Sequence, residues 1–143
     1  MLNTTAREDA NMAKAKKVKQ LSFETKDKIG MLSAVTAAIA AAKVDITATC
    51  AYGMDRDAYF MLITSSNAKA KKALGKLGIP VEEEDVVLVE LPNRPGALQQ
   101  VAKKIADSGI NIQYMYATAA SGKTSTGVLA TDNDAKAVKV INK

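Results

Sequence analysis

Between Val18 and Thr25 the chain alternates, with Leu21 and Phe23 on one side and Gln20, Ser22 and Glu24 on the other. That period of two predicts a β-strand, and the same period places Val87, Val89 and Leu91 on one face of another strand within Val86 to Leu91. Each strand runs into a polar turn, Lys26-Asp27-Lys28 or Pro92-Asn93-Arg94-Pro95, and then into a segment of helical period. In the later one Leu98, Val101, Ala102 and Ile105 form an apolar stripe opposite Lys103, Lys104 and Asp107. Gly109 is a stop signal for that helix, and Asp27 and Asn93 are candidate caps or turn formers. Second strands follow at Ile46 to Tyr52 and Ile112 to Ala119, and third strands at Ala58 to Thr64 and Thr124 to Thr131. Ala- and Lys-rich helices are expected over Asn67 to Leu77 and Asp132 to Ile141, with a short fourth strand beginning at Ile79-Pro80-Val81.

The two halves of this pattern are copies. Gly30 and Gly96 lie 66 positions apart, and the same offset carries Leu32 onto Leu98, Val35 onto Val101, Ile39 onto Ile105, Val44 onto Ile110, Ile46 onto Ile112 and Asn67 onto Asn133. A period so long is a domain duplication, since solenoid repeats run to roughly 20 to 50 residues. The expected organisation is a flexible basic tail over residues 1–17, a first domain over 18–83 and a second over 84–143. Each copy reads β-α-β-β-α-β, an α+β arrangement of the split βαβ or ferredoxin-like type with right-handed crossovers. Carried past Lys143, the offset leaves the second copy without a full last strand. An open sheet edge beside Val86 to Leu91 is therefore expected, and with it a homodimer in which edges or faces of different chains meet, or cover supplied by the first domain of the same chain.

Charge adds little. The formal net charge is +5, but +3 of it lies in the first twenty residues, where Arg7, Lys14, Lys16, Lys17 and Lys19 outnumber Glu8 and Asp9. No stretch has signal or membrane length, so a soluble cytoplasmic protein without membrane or nucleic-acid partners is expected. With no histidine and the single Cys50, read as a buried strand thiol, no zinc set or nucleophilic pair can be assembled, and neither cofactor nor metal is expected. The acidic run Glu82 to Asp85 reads as a solvated linker, because neighbouring carboxylates on an extended segment point in alternate directions. Gly122, Lys123 and Thr124 imitate the end of a phosphate-binding loop, but strand residues follow where that motif needs a helix, so Ser121 and Gly122 read as a hairpin turn.

The loops before the first helix of each copy are the candidate site. At Asp27 to Gly30 and Asn93 to Gly96 a strand ends and a helix opens, so unpaired N–H groups and the positive end of the helix dipole favour a carboxylate. Gly30 and Gly96 permit close approach to the backbone, and Asp27 or the Asn93 amide oxygen can accept from an ammonium group. Lys28, Arg94 and Pro95 complete the loops, and Met31, Leu32, Ala97 and Leu98 beside them suit an apolar or medium-sized side chain.

LPNRPGALQQVAKKIADSGINIQYMYA, Leu91 to Ala117, resembles the first strand, loop, helix and second strand of an ACT domain, and Phe23 to Ala48 resembles a second example. The resemblance covers roughly residues 18 to 143 and extends to stand-alone tandem ACT proteins. It implies a non-catalytic regulator or sensor that binds an amino acid and acts on an enzyme or transcription factor. It also implies that the ligand lies between the loop and the start of the second strand of a neighbouring domain, which adds Asp45, Ile46, Asn111 and Ile112. The first copy departs from the pattern at Ile29, where the second has Pro95.

Three other functions fit parts of the pattern less well. RNA stacked on the sheet would use Arg56 to Ile63, but the corresponding strand of the second copy has no ring. Acylphosphatase-like catalysis would use Asn93 and Arg94, but the surrounding motif is wrong. A ligand-independent dimerisation or partner-binding module is the main alternative to sensing.

Overall fold

A computed structural model of the protein describes residues 12–119 and 121–143. The chain divides into two compact units, Lys19–Glu84 and Asp85–Lys143, the latter completed by the N-terminal segment up to Val18. Ten elements follow in order: β1 (Lys14–Lys26), α1 (Met31–Ala41), β2 (Ile46–Met54), β3 (Asp57–Thr64), α2 (Asn67–Gly75), β4 (Glu82–Pro92), α3 (Ala97–Asp107), β5 (Ile112–Ala119), β6 (Thr124–Thr131) and α4 (Asp134–Ile141). Each unit is of the βαββαβ type.

In the Lys19–Glu84 unit the strands lie in the order β2-β3-β1, antiparallel, with Phe23 opposite Phe60 and Leu21 opposite Leu62. Alternation sends Leu21, Phe23, Ala58, Phe60 and Leu62 to one face, where Val35 and Ile39 of α1 and Ala70 and Leu74 of α2 close over them. Each helix buries residues one turn apart, which is why a four-residue spacing suffices to seat it. Phe23 and Phe60 stack with centroids 4.9 Å apart, a contact worth about 0.5 to 1.5 kcal/mol beyond its buried area. Among the described residues of this unit, neither helix covers the other face, which bears Glu24, Lys26, Cys50, Tyr52 and Tyr59. Cys50, half-buried opposite Met61, is thus not the buried thiol expected from its strand position.

The Asp85–Lys143 unit repeats the plan. Val87, Val89, Leu91 and Leu129 meet Val101 and Ile105 of α3 and Ala137 and Ile141 of α4. The buried stripe of α3 is Ala97, Val101 and Ile105, spaced by four; Leu98 and Ala102 turn outward, correcting the stripe expected from sequence.

Two further expectations need correction. The tail placed at residues 1–17 is strand from Lys14 onward, and residues 1–11, with Arg7, Glu8 and Asp9, lie outside the described residues. Ala13 and Ala15 pack against the core of this unit. The Ala15 N–H donates to Asn142 Oδ1 at 2.7 Å, and Asn142 Nδ2 donates to the Ala15 carbonyl at 2.9 Å. Lys17 stands 3.6 Å from the Asp85 carboxylate. The start of β1 is therefore the fourth strand that the offset leaves missing, in the order β1-β4-β6-β5, and the edge beside β4 is not open. Second, Glu82 to Asp85 is not a linker but part of strand β4. The alternation of small apolar and charged residues in AKAKK was too short and too polar to be read as half-buried strand.

Candidate functional site

The two helix-opening loops adopt one conformation. Gly30 (φ 90°, ψ 0°) and Gly96 (φ 87°, ψ −9°) are left-handed, and neither α1 nor α3 has a side-chain cap. Asp27 and Asn93, expected as possible caps, are not caps. A left-handed residue is what lets the chain turn sharply from strand into helix, and glycine adopts it without steric cost. The Met31 N–H donates to the Lys28 carbonyl at 3.2 Å, and Ala97 N–H to that of Arg94 at 3.3 Å. The remaining N–H groups of each first turn point along the helix axis away from the helix, where an anion is favoured.

Both loops are tied to the tip of the adjacent hairpin. The Asp27 N–H donates to the Arg56 carbonyl at 2.9 Å, and the Asn93 N–H to that of Lys123 at 2.8 Å. Asn93 Nδ2 also donates to the Gly122 carbonyl at 2.9 Å, so its amide is committed to the hairpin. Gly53 in β2 lies directly under the Asp27 carboxylate. Gly53, Arg56, Gly122 and Lys123 thus support the candidate loops, and sequence reasoning missed them; a lone glycine inside a strand pattern was the available signal.

Side chains on the first helical turn divide between core and solvent. Met31 and Ala97 face the cores. Leu32 and Leu98, equivalent by the offset, are 55% and 43% exposed, and Ile29 is fully exposed. An exposed leucine thus stands beside the loop in each unit.

Asp45, Ile46, Asn111 and Ile112 lie elsewhere. Ile46 pairs with Thr64 at one end of β3 while Lys26 and Met54 flank Asp57 at the other, a separation of about 23 Å along the strand. In the other unit Asn111 is likewise bonded to Asp132, beyond the far end of β6 from Asn93. Neither unit alone brings these residues to its own loop.

On the uncovered face of the first unit Tyr52 and Tyr59 stack at 5.3 Å between centroids. Loss of hydration first, then the carboxylates of Glu24 and Asp57, raise the Tyr59 phenol above its ordinary 10.0. These rings stand among negative charges that oppose a phosphate backbone. Among the described residues no group of three His, Cys, Asp or Glu side chains could hold a metal ion, and no helix is long and apolar enough to cross a membrane.

Comparison with known proteins agrees with this fold. Protein BT0572 from Bacteroides thetaiotaomicron, known from a crystal structure, is 32% identical, with 90% of this chain and 88% of that chain covered and a TM-score of 0.82. The fold is shared with the regulatory subunits of aspartate kinase from Thermus thermophilus and Thermus flavus, each 15% identical, with TM-scores of 0.64 and 0.60. The first match covers 93% of this chain and 97% of that subunit, the second 90% and 95%. No curated protein matches the chain. Residues 16–143 match the family described as the ACT domain pair, whose role is regulatory ligand binding. The chain belongs to the ACT domain pair family.

Proposed function

We propose that the chain is a non-catalytic, cytoplasmic sensor that binds a free amino acid at its helix-opening loops and passes the bound state to a regulated enzyme or transcription factor. The observation that carries this reading is the repeated loop: an uncapped helix start behind a left-handed glycine, with an exposed leucine at its side, in both units. The ligand carboxylate would accept from the first-turn N–H groups of α1 or α3, and its side chain would lie on Leu32 or Leu98. Asp27 in the first loop supplies an acceptor for the ammonium group; Asn93 in the second offers only its amide oxygen.

Asp45, Ile46, Asn111 and Ile112 would then serve a ligand held at the loop of a second copy of the chain. A homodimer belongs to this reading, though for a reason other than the edge beside β4. Neither β2 nor β5, outermost in their order, carries a charged residue or a proline, and edges without such protection pair readily.

Thermal denaturation in the presence of each standard L-amino acid tests the function. One or more should raise the transition in a concentration-dependent way, by about 2.7 kcal/mol at a hundred times its dissociation constant. If none does, and sedimentation shows a dimer indifferent to them all, the chain is the ligand-independent dimerisation module instead.

A further inference from the structure

Gly53 interrupts an otherwise ordinary strand, and its backbone does not explain it. The left-handed glycines are Gly30, Gly78, Gly96 and Gly109, whereas Gly53 has no positive φ. Glycine inside a strand gives up packing and conformational entropy, so something must require the missing side chain. A Cβ built at Gly53 would stand 2.5 Å from Oδ2 and 3.1 Å from Cγ of Asp27. The Asp27 carboxylate occupies the place where that side chain would be, while its own N–H is fixed to the Arg56 carbonyl at 2.9 Å. Among the described residues the carboxylate makes no hydrogen bond or ion pair of its own. The carboxylate is exposed beside the opening of α1, in the room that the missing side chain of Gly53 leaves, with its acceptor capacity unused.

The second unit lacks both halves of this device. The offset puts Asn93 at the place of Asp27 and Ala119 at that of Gly53. Asn93 is uncharged and has given its amide donor to Gly122.

We propose that Gly53 is a positioning residue that sets the Asp27 carboxylate to receive the ammonium group of the ligand, and that ammonium recognition is confined to the first loop. This rests on the amino-acid-binding reading above. It adds a selectivity: the first loop takes ligands carrying both a carboxylate and a free α-ammonium group, and rejects the same acids without the ammonium. One such ligand binds per chain.

Calorimetry on the full chain tests it, with each standard L-amino acid and its des-amino carboxylic acid as probes. Gly53→Ala is a mild change for the fold, because alanine fits this strand backbone and the atoms in its way are the far end of a side chain free to swing aside. It should weaken amino-acid binding roughly 10- to 100-fold, the range for a lost charge-assisted hydrogen bond. Asp27→Asn should do the same, and the double variant should be no worse than either alone. Binding of a des-amino acid should not change, stoichiometry should be one, and the Asp27 carboxyl carbon resonance should move in ligand-free Gly53→Ala. An amino acid that binds Gly53→Ala as it binds the parent, an additive double variant, or two equal sites would overturn the role of Gly53 and leave amino-acid binding standing. If no amino acid binds the parent chain, both readings fall.

Discussion

Asn142 clamps the start of β1 onto its unit, and removing the clamp has a cost that can be estimated. In Asn142→Ala the side chain loses the bond accepted from the Ala15 N–H at 2.7 Å and the one donated to the Ala15 carbonyl at 2.9 Å. Both are exposed, so water replaces them; at roughly 0.5 to 1 kcal/mol each, the loss should be about 1 to 2 kcal/mol. Asn142 also follows α4 with right-handed φ −80° and ψ −2°, a conformation alanine adopts freely, so the helix end itself should contribute little. Urea unfolding of the full chain should show a lower midpoint with an unchanged slope. Amide exchange at Lys14–Val18 should quicken about 10-fold, the kinetic counterpart of about 1.4 kcal/mol. A midpoint indistinguishable from that of the parent, with exchange at those residues unchanged, would mean that the start of β1 is not held as described and that the edge beside β4 is free.

Lys43 holds a left-handed conformation at φ 59° where the second unit has Gly109 at φ 72°, so Lys43→Gly should stabilise the protein by about 1 kcal/mol in thermal unfolding. Gly30→Ala and Gly96→Ala meet open space but force alanine into left-handed backbone; each should cost about 1 to 2 kcal/mol in urea. Gly96→Val should be destabilised at least as much, so any loss of ligand binding must be measured well below its transition. Asp107 bonds Lys103 at 2.9 Å and raises the lysine above its ordinary 10.5. A raised pKa means that the pair's contribution is fully present below pH 10.5 and fades as pH climbs through the raised value. Titration of Lys103 by NMR should show its midpoint fall in Asp107→Asn.

The repeat was the most legible part of the chain, because Gly30 and Gly96, Val35 and Val101, and Ile39 and Ile105 are core and turn positions whose demands the two units share. Strand and helix periods located the ten elements, but the short strand expected to begin at Ile79-Pro80-Val81 is not formed there, since β4 begins at Glu82. The start of β1 was obscured by lysines at Lys14, Lys16 and Lys17, since an edge strand needs only one apolar face and here that face is two alanines. Leu98 misled for the opposite reason: it is apolar yet sits at the exposed start of α3, where Ala97 takes the inward position. The loops could be named from Asp27 to Gly30 and Asn93 to Gly96, but not their supports. Gly53 touches Asp27 through a hairpin closed by Asp55 and Arg56, both at positive φ without being glycine, so no turn signature announced that contact.

Amide shift mapping of the full chain during titration with the best-binding L-amino acid tests the central claim most directly. The account predicts saturable perturbations concentrated at Asp27–Leu32 and at the Gly53–Arg56 hairpin tip that packs against them. Perturbations centred instead on the uncovered sheet face around Tyr52 and Tyr59, with the Asp27–Leu32 amides unmoved at saturation, would contradict it.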